Sequence, residues 1–378
     1  MKHRRRIFRR RCFLVRGVVA ALTSALASAP ARGQQQQQRP HEPLPPDVRA
    51  IDRAARSLAD SGFSGVVLVA SGDGRVLLRR GYGGVSAGSA FWIASMTKGF
   101  TAAAVLRLQQ QGRLTVRDTL GRFFPGASAD KRGITIDQLL THTSGIAPVF
   151  AGAGIGARDS AVRALLGRPL AFAPGGGYRY GDDDYELLAA VVEVASGRTW
   201  EEYVERELLR PAGLRRTGFW CRSTAGAPRP VAGAGGVRSR CRPATRPGER
   251  AGDWGHRGAT GMSSTADDLL RWTRVLERGD VLDAASRAAL VAPRVLVRRE
   301  GPADVYYGYG VRVYVVDGRA VEVMHSGSGD DGHTGIVRSL RDRGLTIVVL
   351  SNAGQHGGTT WSSYVARRLP LPDATGRD

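Results

Sequence analysis

Residues 91–112 read FWIASMTKGFTAAAVLRLQQQG, and the rest of the chain is best interpreted outward from this segment. The pattern predicts a helix over 95–111 that Ser95 opens, with Lys98 three residues further on. That spacing places both side chains on one helix face. There the amine can accept the hydroxyl proton, provided that burial holds its pKa down. The backbone N–H of Ser95, at the helix start, is available to an oxyanion.

The S-x-x-K pattern is weak evidence on its own, because it occurs twice in this chain. Ser128 and Lys131 repeat it in a polar turn region after Pro125-Gly126, and we interpret that copy as chance. Lysine is otherwise rare: Lys2, Lys98 and Lys131 are the only three among 55 Lys and Arg residues. Arginine is effectively always charged, so a lysine in such a chain can mark a place where a deprotonable amine is needed.

Further motifs follow the first in a fixed order. They are DQLLTHTSGI at 137–146, FAPGGGYRYGDDDYELL at 172–188, GMSSTADDLL at 261–270, His325-Ser326-Gly327, and LTIVVLSN at 345–352. Together with Ser95 and Lys98 they resemble the β-lactamase/penicillin-recognising serine hydrolase superfamily, in its class C β-lactamase, D,D-peptidase and esterase branch. The resemblance covers about residues 50–370.

The resemblance implies a role for each matching residue. Ser95 is the nucleophile, and Lys98 and Tyr180 share the proton transfer in a division that the sequence leaves open. The N–H groups of Ser95 and Ser328 form the oxyanion hole, and Ser328 follows Gly327 in the C-terminal motif. His325 stands where the family has K-T-G or H-x-G.

Simpler interpretations remain open for several of these positions. Tyr180 taken alone is typical of a core aromatic, and His325 of a hydrogen-bonded structural histidine. His142 lies in a Thr-Ser-Gly context that predicts a turn, so we assign it a structural role. Arg179 and Asp184 are interpreted as surface residues or as local pairs.

Asp182 departs from the family pattern, which has Asn at this position. An ionised Asp accepts hydrogen bonds but donates none, so it removes a donor from the substrate site. Its charge should also hold Lys98 protonated more strongly. We expect ester hydrolysis to rise with pH as Lys98 loses its proton. Carboxylate substrates are expected to give a bell-shaped profile, through protonation of His325.

Strand signals come from both ends of the chain and helix signals from the middle. Strands are predicted at 64–71 and 75–81 near the start, and at 310–316, 320–325, 334–340 and 345–351 near the end. Helices are predicted at 47–59, 95–111, 158–166, 183–195, 200–209, 266–277 and 359–369. The pattern predicts an α+β fold: one antiparallel sheet built from both chain ends, flanked by helices, with a large, mainly helical insertion over about 95–300. The hydrolase domain is predicted to span 47–372.

The N-terminal 31 residues have the pattern of a secretory signal peptide. Residues 1–16 carry eight basic residues and no acid, and a short apolar stretch follows over 17–27. Small residues after it favour cleavage after Ala31. Arg10-Arg11-Cys12-Phe13-Leu14 resembles a twin-arginine export signal; an ordinary Sec signal is the alternative. A Gln- and Pro-rich linker follows over 32–46. The sequence thus predicts an exported protein of the periplasm or the extracellular space.

Charge and composition limit the classes of partner. The net charge is +21, and removal of residues 1–31 leaves +13. An exported chain without a nucleic-acid motif is not expected to bind nucleic acid, so an anionic cell-wall polymer or membrane surface is the better candidate partner. A biased use of arginine, with no ligand implied, is the alternative. Outside the N-terminal region there is no apolar run of about 18 residues, which excludes an internal transmembrane helix on sequence grounds.

The cysteines agree with export. Cys12 lies in the signal, and Cys221 and Cys241 flank a basic, Gly- and Pro-rich stretch. In an oxidising compartment they could form a disulfide that closes a loop of about 20 residues. Two reduced thiols are the alternative, and the chain shows no metal-ligand spacing.

The sequence therefore predicts an exported serine hydrolase that acts through an acyl-enzyme on an ester, an amide or a β-lactam, without a metal or organic cofactor. Its substrate would be a small-molecule or peptide acyl donor. A β-lactamase or D,D-peptidase with true penicillin recognition is one alternative. A catalytically inactive protein that binds a cell-wall ligand is the alternative from another class.

Overall fold

A computed structural model describes residues 46–219, 254–279, 281–329, 331–356 and 359–369. The predicted signal peptide, nearly all of the linker, Cys221, Cys241 and the basic stretch between them lie outside these ranges. In the described part of the chain, no helix is both long and apolar enough to span a membrane.

An eight-stranded antiparallel sheet forms the centre of the fold. Its strand order is β2-β1-β11-β10-β9-β8-β7-β6. The strands are β1 (Gly65–Ser71), β2 (Val76–Tyr82), β6 (Val295–Glu300), β7 (Ala303–Tyr307), β8 (Arg312–Val316), β9 (Arg319–Ser328), β10 (Thr334–Leu340) and β11 (Leu345–Ser351). The predicted α+β fold with a sheet built from both chain ends is confirmed.

The two chain ends join through β1 and β11. The two strands pair antiparallel from Gly65 opposite Ser351 to Ser71 opposite Leu345. Both consist almost entirely of buried residues, GVVLVAS and LTIVVLS, because helices cover both faces of the sheet at this point. Burial on both faces explains why these strands read as continuous apolar runs rather than as alternating ones.

Helices lie on both sides of the sheet. They are α1 (Pro46–Asp60), α2 (Thr97–Gln110), α3 (Leu120–Phe123), α4 (Ile136–Leu140), α5 (Arg158–Leu166), α6 (Asp183–Ser196), α7 (Trp200–Val204), α8 (Arg257–Thr260), α9 (Ala266–Arg278), α10 (Ala284–Leu290) and α11 (Trp361–Arg368). α1 and α11 share one hydrophobic cluster with one sheet face, and the helices between the two strand sets share a larger cluster with the other.

The middle of the chain contains more strand than the sequence indicated. The hairpin of β6 and β7 extends the main sheet from within or just after the predicted helical insertion. A second sheet has the order β3-β5-β4, from β3 (Ala90–Trp92), β4 (Gly218–Phe219) and β5 (Met262–Thr265). β12 (Gln355–His356) and β13 (Thr359–Thr360) form a short ribbon just before α11. These strands are short or exposed, so they lack the apolar runs on which the prediction relied.

The central helix is α2, which is buried on nearly every side. Its buried residues run without a break from Thr97 to Leu106 and include Lys98. Thr101 Oγ1 donates a hydrogen bond to the carbonyl of Gly258 in α8, at 2.7 Å. A helix that is buried all round shows no amphipathic stripe, so the small residues of this segment allow close packing instead. The packing fixes α2 and places a lysine inside the protein.

Candidate active site

Ser95 lies in a 3₁₀ turn, Ala94–Met96, between β3 and α2. The residue before it, Ala94, has a φ of +43°, a left-handed conformation that costs an alanine free energy. Pairing of β3 with β5 fixes the entry to the turn, and α2 fixes the exit. The serine is thus presented from a strained turn rather than from within the helix that was predicted to begin there.

Lys98 is fully buried, and its amine contacts the nucleophile candidate directly. Lys98 Nζ lies 3.2 Å from Ser95 Oγ. The same nitrogen forms a salt bridge with Asp182 and lies 3.4 Å from the carbonyl oxygen of Ala259. It also lies 4.9 Å from the centre of the Tyr180 ring. Three segments that are distant in sequence therefore meet around one ammonium group.

The surroundings of Lys98 keep it protonated. Burial alone lowers the pKa of a lysine, but the charge interactions and hydrogen bonds with Tyr180 and Asp182 outweigh burial and raise the pKa of Lys98 above its ordinary value. The first sequence expectation, an amine with a lowered pKa, is therefore wrong for this structure. The second, that Asp182 holds the lysine charged, agrees in direction.

Tyr180 is held against a buried histidine–aspartate pair. The ring centres of His142 and Tyr180 are 4.6 Å apart. His142 Nδ1 lies 2.9 Å from an Asp184 oxygen, and Ser144 donates a hydrogen bond to the other oxygen at 2.5 Å. His142 has the structural position expected of it. Asp184 is neither a surface residue nor a local pair, because α6 faces the core at this turn and Asp184 contacts residues about 40 positions earlier in the chain.

Burial disfavours the charged forms of both His142 and Asp184. Burial, followed by the positive charges of Lys98 and Arg312, lowers the pKa of His142 well below its ordinary value. Burial likewise raises the pKa of Asp184, despite the hydrogen bond from Ser144. His142 Nε2 has no hydrogen-bond partner among the described residues. The neutral ring of His142 therefore packs against Tyr180 and places no charge beside it.

His325 lies in β9 beside Tyr180, with ring centres 6.5 Å apart. Its Nδ1 lies 2.7 Å from the carbonyl oxygen of Ser326 and its Nε2 lies 3.4 Å from the hydroxyl of Tyr307. Burial, followed by the charges of Arg312 and Lys98, lowers the pKa of His325 well below its ordinary value. A neutral ring fits these contacts: Nδ1 donates to the carbonyl and Nε2 accepts from Tyr307. The expectation that a protonated His325 holds a substrate anion near neutral pH is therefore wrong.

Gly327 brings the end of β9 against the turn that carries Ser95. A side-chain Cβ at this position would lie 2.1 Å from the carbonyl oxygen of Ile93 and 3.2 Å from the backbone nitrogen of Ser95. Only glycine permits this approach. Ser328 follows as the last, exposed residue of β9. The strand end and the backbone N–H of Ser95 therefore border the same space.

Arg312, on β8, is a residue of this cluster that the sequence reasoning missed. Its guanidinium carbon lies 5.8 Å from the centre of the Tyr180 ring, and its charge acts on both His142 and His325. It forms no ion pair with any described residue, and its Nε is buried without a hydrogen-bond partner. A partial signal was available, since strands were predicted at 310–316 and 320–325; the register shift after Tyr314, which pairs Arg312 with Met324 next to His325, could not be predicted.

The structure thus brings together six predicted site residues and leaves one pair undescribed. Ser95, Lys98, Tyr180, Asp182, His325 and Gly327 form one cluster, with Ser328 at its edge. Cys221 and Cys241 lie outside the described ranges. Within those ranges, no group of three or more His, Cys, Asp or Glu side chains could hold a metal ion.

Comparison with known proteins gives a consistent assignment. The family model described as Beta-lactamase matches residues 51–365. A penicillin-binding protein of Bacillus subtilis strain 168 is 28% identical over 315 residues, which cover 77% of this chain and 68% of that protein. Protein flp of Staphylococcus aureus strain COL is 30% identical over 164 residues, which cover 39% of this chain and only 33% of that protein.

Solved structures share the fold at lower identity. D-amino acid amidase from Ochrobactrum anthropi SV3 has a TM-score of 0.69 at 20% identity, over 85% of this chain and 96% of that chain. A D-stereospecific amidohydrolase from Streptomyces sp. has a TM-score of 0.66 at 24% identity, over 85% and 98% of the two chains. The octameric penicillin-binding protein homologue from Pyrococcus abyssi has a TM-score of 0.68 at 22% identity, over 84% and 75%.

Proposed function

The chain belongs to the Beta-lactamase family and is a serine hydrolase, and from that premise we propose that it works through an acyl-enzyme formed on Ser95. The observation that carries this proposal is that the buried Lys98 amine contacts both Ser95 Oγ, at 3.2 Å, and the carboxylate of the distant Asp182. A buried ammonium that touches one serine and one carboxylate is costly to maintain without a purpose.

The proposed reaction has two steps, each of which moves one proton. Ser95 Oγ attacks the carbonyl carbon of the substrate, and its proton leaves toward Lys98 and Tyr180. The carbonyl oxygen becomes an oxyanion, which the N–H groups of Ser95 and Ser328 stabilise at the strand end beside Gly327. The carbonyl then reforms as the bond between its carbon and the leaving group breaks, and the leaving group departs with the proton. Water releases the acyl group in the second step, by the same proton path in reverse.

Proton transfer by Lys98 requires the neutral amine. Because the pKa of Lys98 is raised above its ordinary value, the amine is protonated at neutral pH, and its neutral form increases as pH rises. We therefore propose that the rate on simple neutral esters climbs toward alkaline pH. The negative charge of Asp182 contributes to the raised pKa of Lys98, and its carboxylate offers no hydrogen-bond donor to the substrate carbonyl.

Acyl donors that carry a carboxylate are the proposed substrate class, in particular peptides or amides with D-residues. Arg312 supports this, since it is a positive charge beside Tyr180 without an ion pair among the described residues. A guanidinium binds a carboxylate in a forked geometry, so it would take the part first expected of a protonated His325. The names of the related proteins, D-amino acid amidase and D-stereospecific amidohydrolase, agree with the D-residue; an amino acid amide has no carboxylate, so the carboxylate part of the proposal rests on Arg312.

A β-lactamase or D,D-peptidase with penicillin recognition is the second candidate function. The names of relatives such as the B. subtilis penicillin-binding protein favour it, and Asp182 in place of the family Asn counts against it. A catalytically inactive cell-wall-binding protein is the third, which the intact Ser95–Lys98–Asp182 contacts count against.

A substrate panel separates these candidates. Hydrolysis of a D-alanyl-D-alanine peptide, a D-amino acid amide, a neutral ester and benzylpenicillin would be measured on wild type and on Arg312→Ala. We expect a loss of about tenfold or more in kcat/KM for the carboxylate substrates and little change for the neutral ester. Equal losses on all four would remove Arg312 from substrate recognition. No hydrolysis of any would favour the inactive binding protein.

Export and the disulfide remain part of the proposal. Residues 1–31 carry the signal pattern, and the mature protein would be periplasmic or extracellular. Its excess of arginine suits an anionic cell-wall or membrane surface as a secondary partner, with no nucleic acid involved. Intact-mass measurement of the exported protein would show cleavage after Ala31 and a loss of two hydrogens from a Cys221–Cys241 bond. Free thiols at both positions would refute the bond.

A further inference from the structure

A cavity of about 520 Å³ lies between the sheet and the helices α2, α9 and α10. Val323, Val337 and Ser339 belong to its sheet side, and Trp272 and Leu276 of α9 face them. The volume falls within the range of small-molecule sites, about 300–1,000 Å³. None of Ser95, Lys98, Tyr180, Asp182 or Ser328 lines this cavity, so it adjoins the proposed reaction site only at His325 and does not include the reacting groups.

The cavity has a buried, apolar end and an exposed end. Met96, Phe100 and His325 line it and are buried, which puts the inner end directly behind the turn that carries Ser95. Gly72, Glu277, Arg341 and Gly344 line it and are exposed. These residues meet at one place, because Gly72 N donates a hydrogen bond to the carbonyl of Gly344 at 2.6 Å. A ligand with an apolar body and one polar end fits this gradient.

The charged residues that line the cavity determine which polar group such a ligand can carry. Three charged residues line the cavity: Glu277, Arg287 and Arg341. Glu277 accepts a hydrogen bond from Ser339 at 3.0 Å on one carboxylate oxygen, so its single negative charge stands against the two arginines. Arg287 donates to the carbonyl of Leu282 at 2.7 Å, and neither arginine forms an ion pair with a described residue. Arg278 of the neighbouring helix turn binds the carbonyls of Gly72 and Asp73 and adds a further positive charge.

From this arrangement we propose that the cavity is a binding site for a single-chain fatty acid, with the chain inside and the carboxylate at Arg341 and Arg287. The apolar walls of Trp272, Leu276 and Val337 replace water around the chain. The two arginines supply charge-assisted hydrogen bonds to the carboxylate. The site requires no catalytic step and does not depend on the proposed acyl-enzyme.

Calorimetric titration of the full chain with dodecanoate tests the proposal. We expect one molecule bound per chain, with the same affinity in Ser95→Ala. Ala288→Trp places a large ring on an exposed lining residue, and we expect it to weaken binding by about tenfold or more. Ala285→Trp is its control, since Ala285 is exposed on the same helix but does not line the cavity.

A second pair of variants tests whether binding requires the positive charge of Arg341. Arg341→Glu should weaken dodecanoate binding by about tenfold or more, while Arg343→Glu, in the same turn but outside the cavity lining, should not. Dodecyltrimethylammonium, with the same chain and the opposite charge, should bind more weakly than dodecanoate. The proposal is overturned by absence of binding at about 1 mM, by unchanged binding in Ala288→Trp, or by equal affinity for the two amphiphiles.

Discussion

The chain contains the pattern S-x-x-K at two places, with a buried lysine in each, and the two places differ in what surrounds the pair. Ser95 and Lys98 follow a strained turn at the head of a buried helix. Ser128 and Lys131 lie in a polar turn region, where Ser128 is exposed and donates to Asp130 at 2.5 Å. The lysine-to-serine distances are similar, 3.2 Å in the first and 3.4 Å in the second. A short contact between serine and lysine is therefore not what distinguishes a reactive pair.

The difference lies in the third partner. Lys98 pairs with Asp182, which is 84 residues away, and both are almost completely buried. Lys131 pairs with its own neighbour, the exposed Asp130, at 2.7 Å. Hydrogen bonds from Lys131 and Ser128 lower the pKa of Asp130, as is ordinary for an exposed carboxylate with local donors. The first pair is assembled by the fold, whereas the second is assembled by the local chain.

Among these tests, substitution of each lysine should give the largest difference in reaction rate between the two Ser–Lys pairs. Lys98→Met removes the only amine in contact with Ser95 in the described cluster, and we expect acylation to fall by about 10³-fold or more. Lys131→Met should leave the rate within about twofold. Rates of ester hydrolysis measure both.

Folding has to be controlled in this experiment, because Lys98→Met leaves the carboxylate of Asp182 buried without its partner. The double variant Lys98→Met/Asp182→Asn removes both charges together. If the double variant melts like wild type and still hydrolyses ester at the wild-type rate, Lys98 has no part in the reaction.

Adding a methyl group at position 327 tests whether the close contact between the end of β9 and the Ser95 turn is required for catalysis. Gly327→Ala forces a Cβ to within 2.1 Å of the Ile93 carbonyl oxygen, so the strand has to move away from the Ser95 N–H. Loss of one oxyanion donor costs about 10²–10³ in kcat. Gly126→Ala, beside the second pair and with no atom within 4 Å of the new Cβ, should change nothing. A wild-type kcat in Gly327→Ala would place the oxyanion elsewhere.

Asp182→Asn should change the pH profile rather than abolish activity. The charge of Asp182 contributes to the raised pKa of Lys98, so its removal lowers that pKa and moves the alkaline rise in ester hydrolysis to lower pH. At neutral pH we expect a gain of about tenfold, and β-lactam acylation should improve because Asn restores a donor. Steady-state rates over pH 5–10 report the shift. Superimposable profiles would mean that Asp182 does not govern the protonation of Lys98.

The smallest effect is expected at the second serine. Ser128→Ala removes an exposed hydroxyl whose bonds are all local, so rate and melting temperature should stay within error of wild type. A measurable loss of acylation in Ser128→Ala would erase the distinction between the two pairs.

The sequence was a good guide to buried regular structure. It predicted β10 and β11 to the residue, since both are runs of apolar residues between turn signals, and α5 likewise. It did not predict that residues 205–209 continue α7 as a π-helical segment, nor the hairpin of β6 and β7, where β6 is mostly exposed. Edge strands lack the apolar pattern because only one face, or neither, contacts the core.

The site residues themselves could be named from motifs, but their ionisation could not. Proton uptake by Lys98 was made conditional on a pKa lowered by burial, and the contacts with Tyr180 and Asp182 raise that pKa instead. His325 was expected to titrate near neutrality, and burial beside Arg312 and Lys98 prevents it. Both outcomes depend on which distant charges the fold brings within reach, and residue spacing along the chain contains no such information.

The most direct test of the account is the location of a covalent adduct. The protein would be treated with a fluorophosphonate probe, or with labelled penicillin, and the modified peptide identified by mass spectrometry in wild type, Ser95→Ala and Ser128→Ala. We predict one adduct per chain on Ser95 in wild type and in Ser128→Ala, and none in a Ser95→Ala protein that retains the wild-type melting temperature. An adduct on Ser128, or one that persists in Ser95→Ala, would contradict the account.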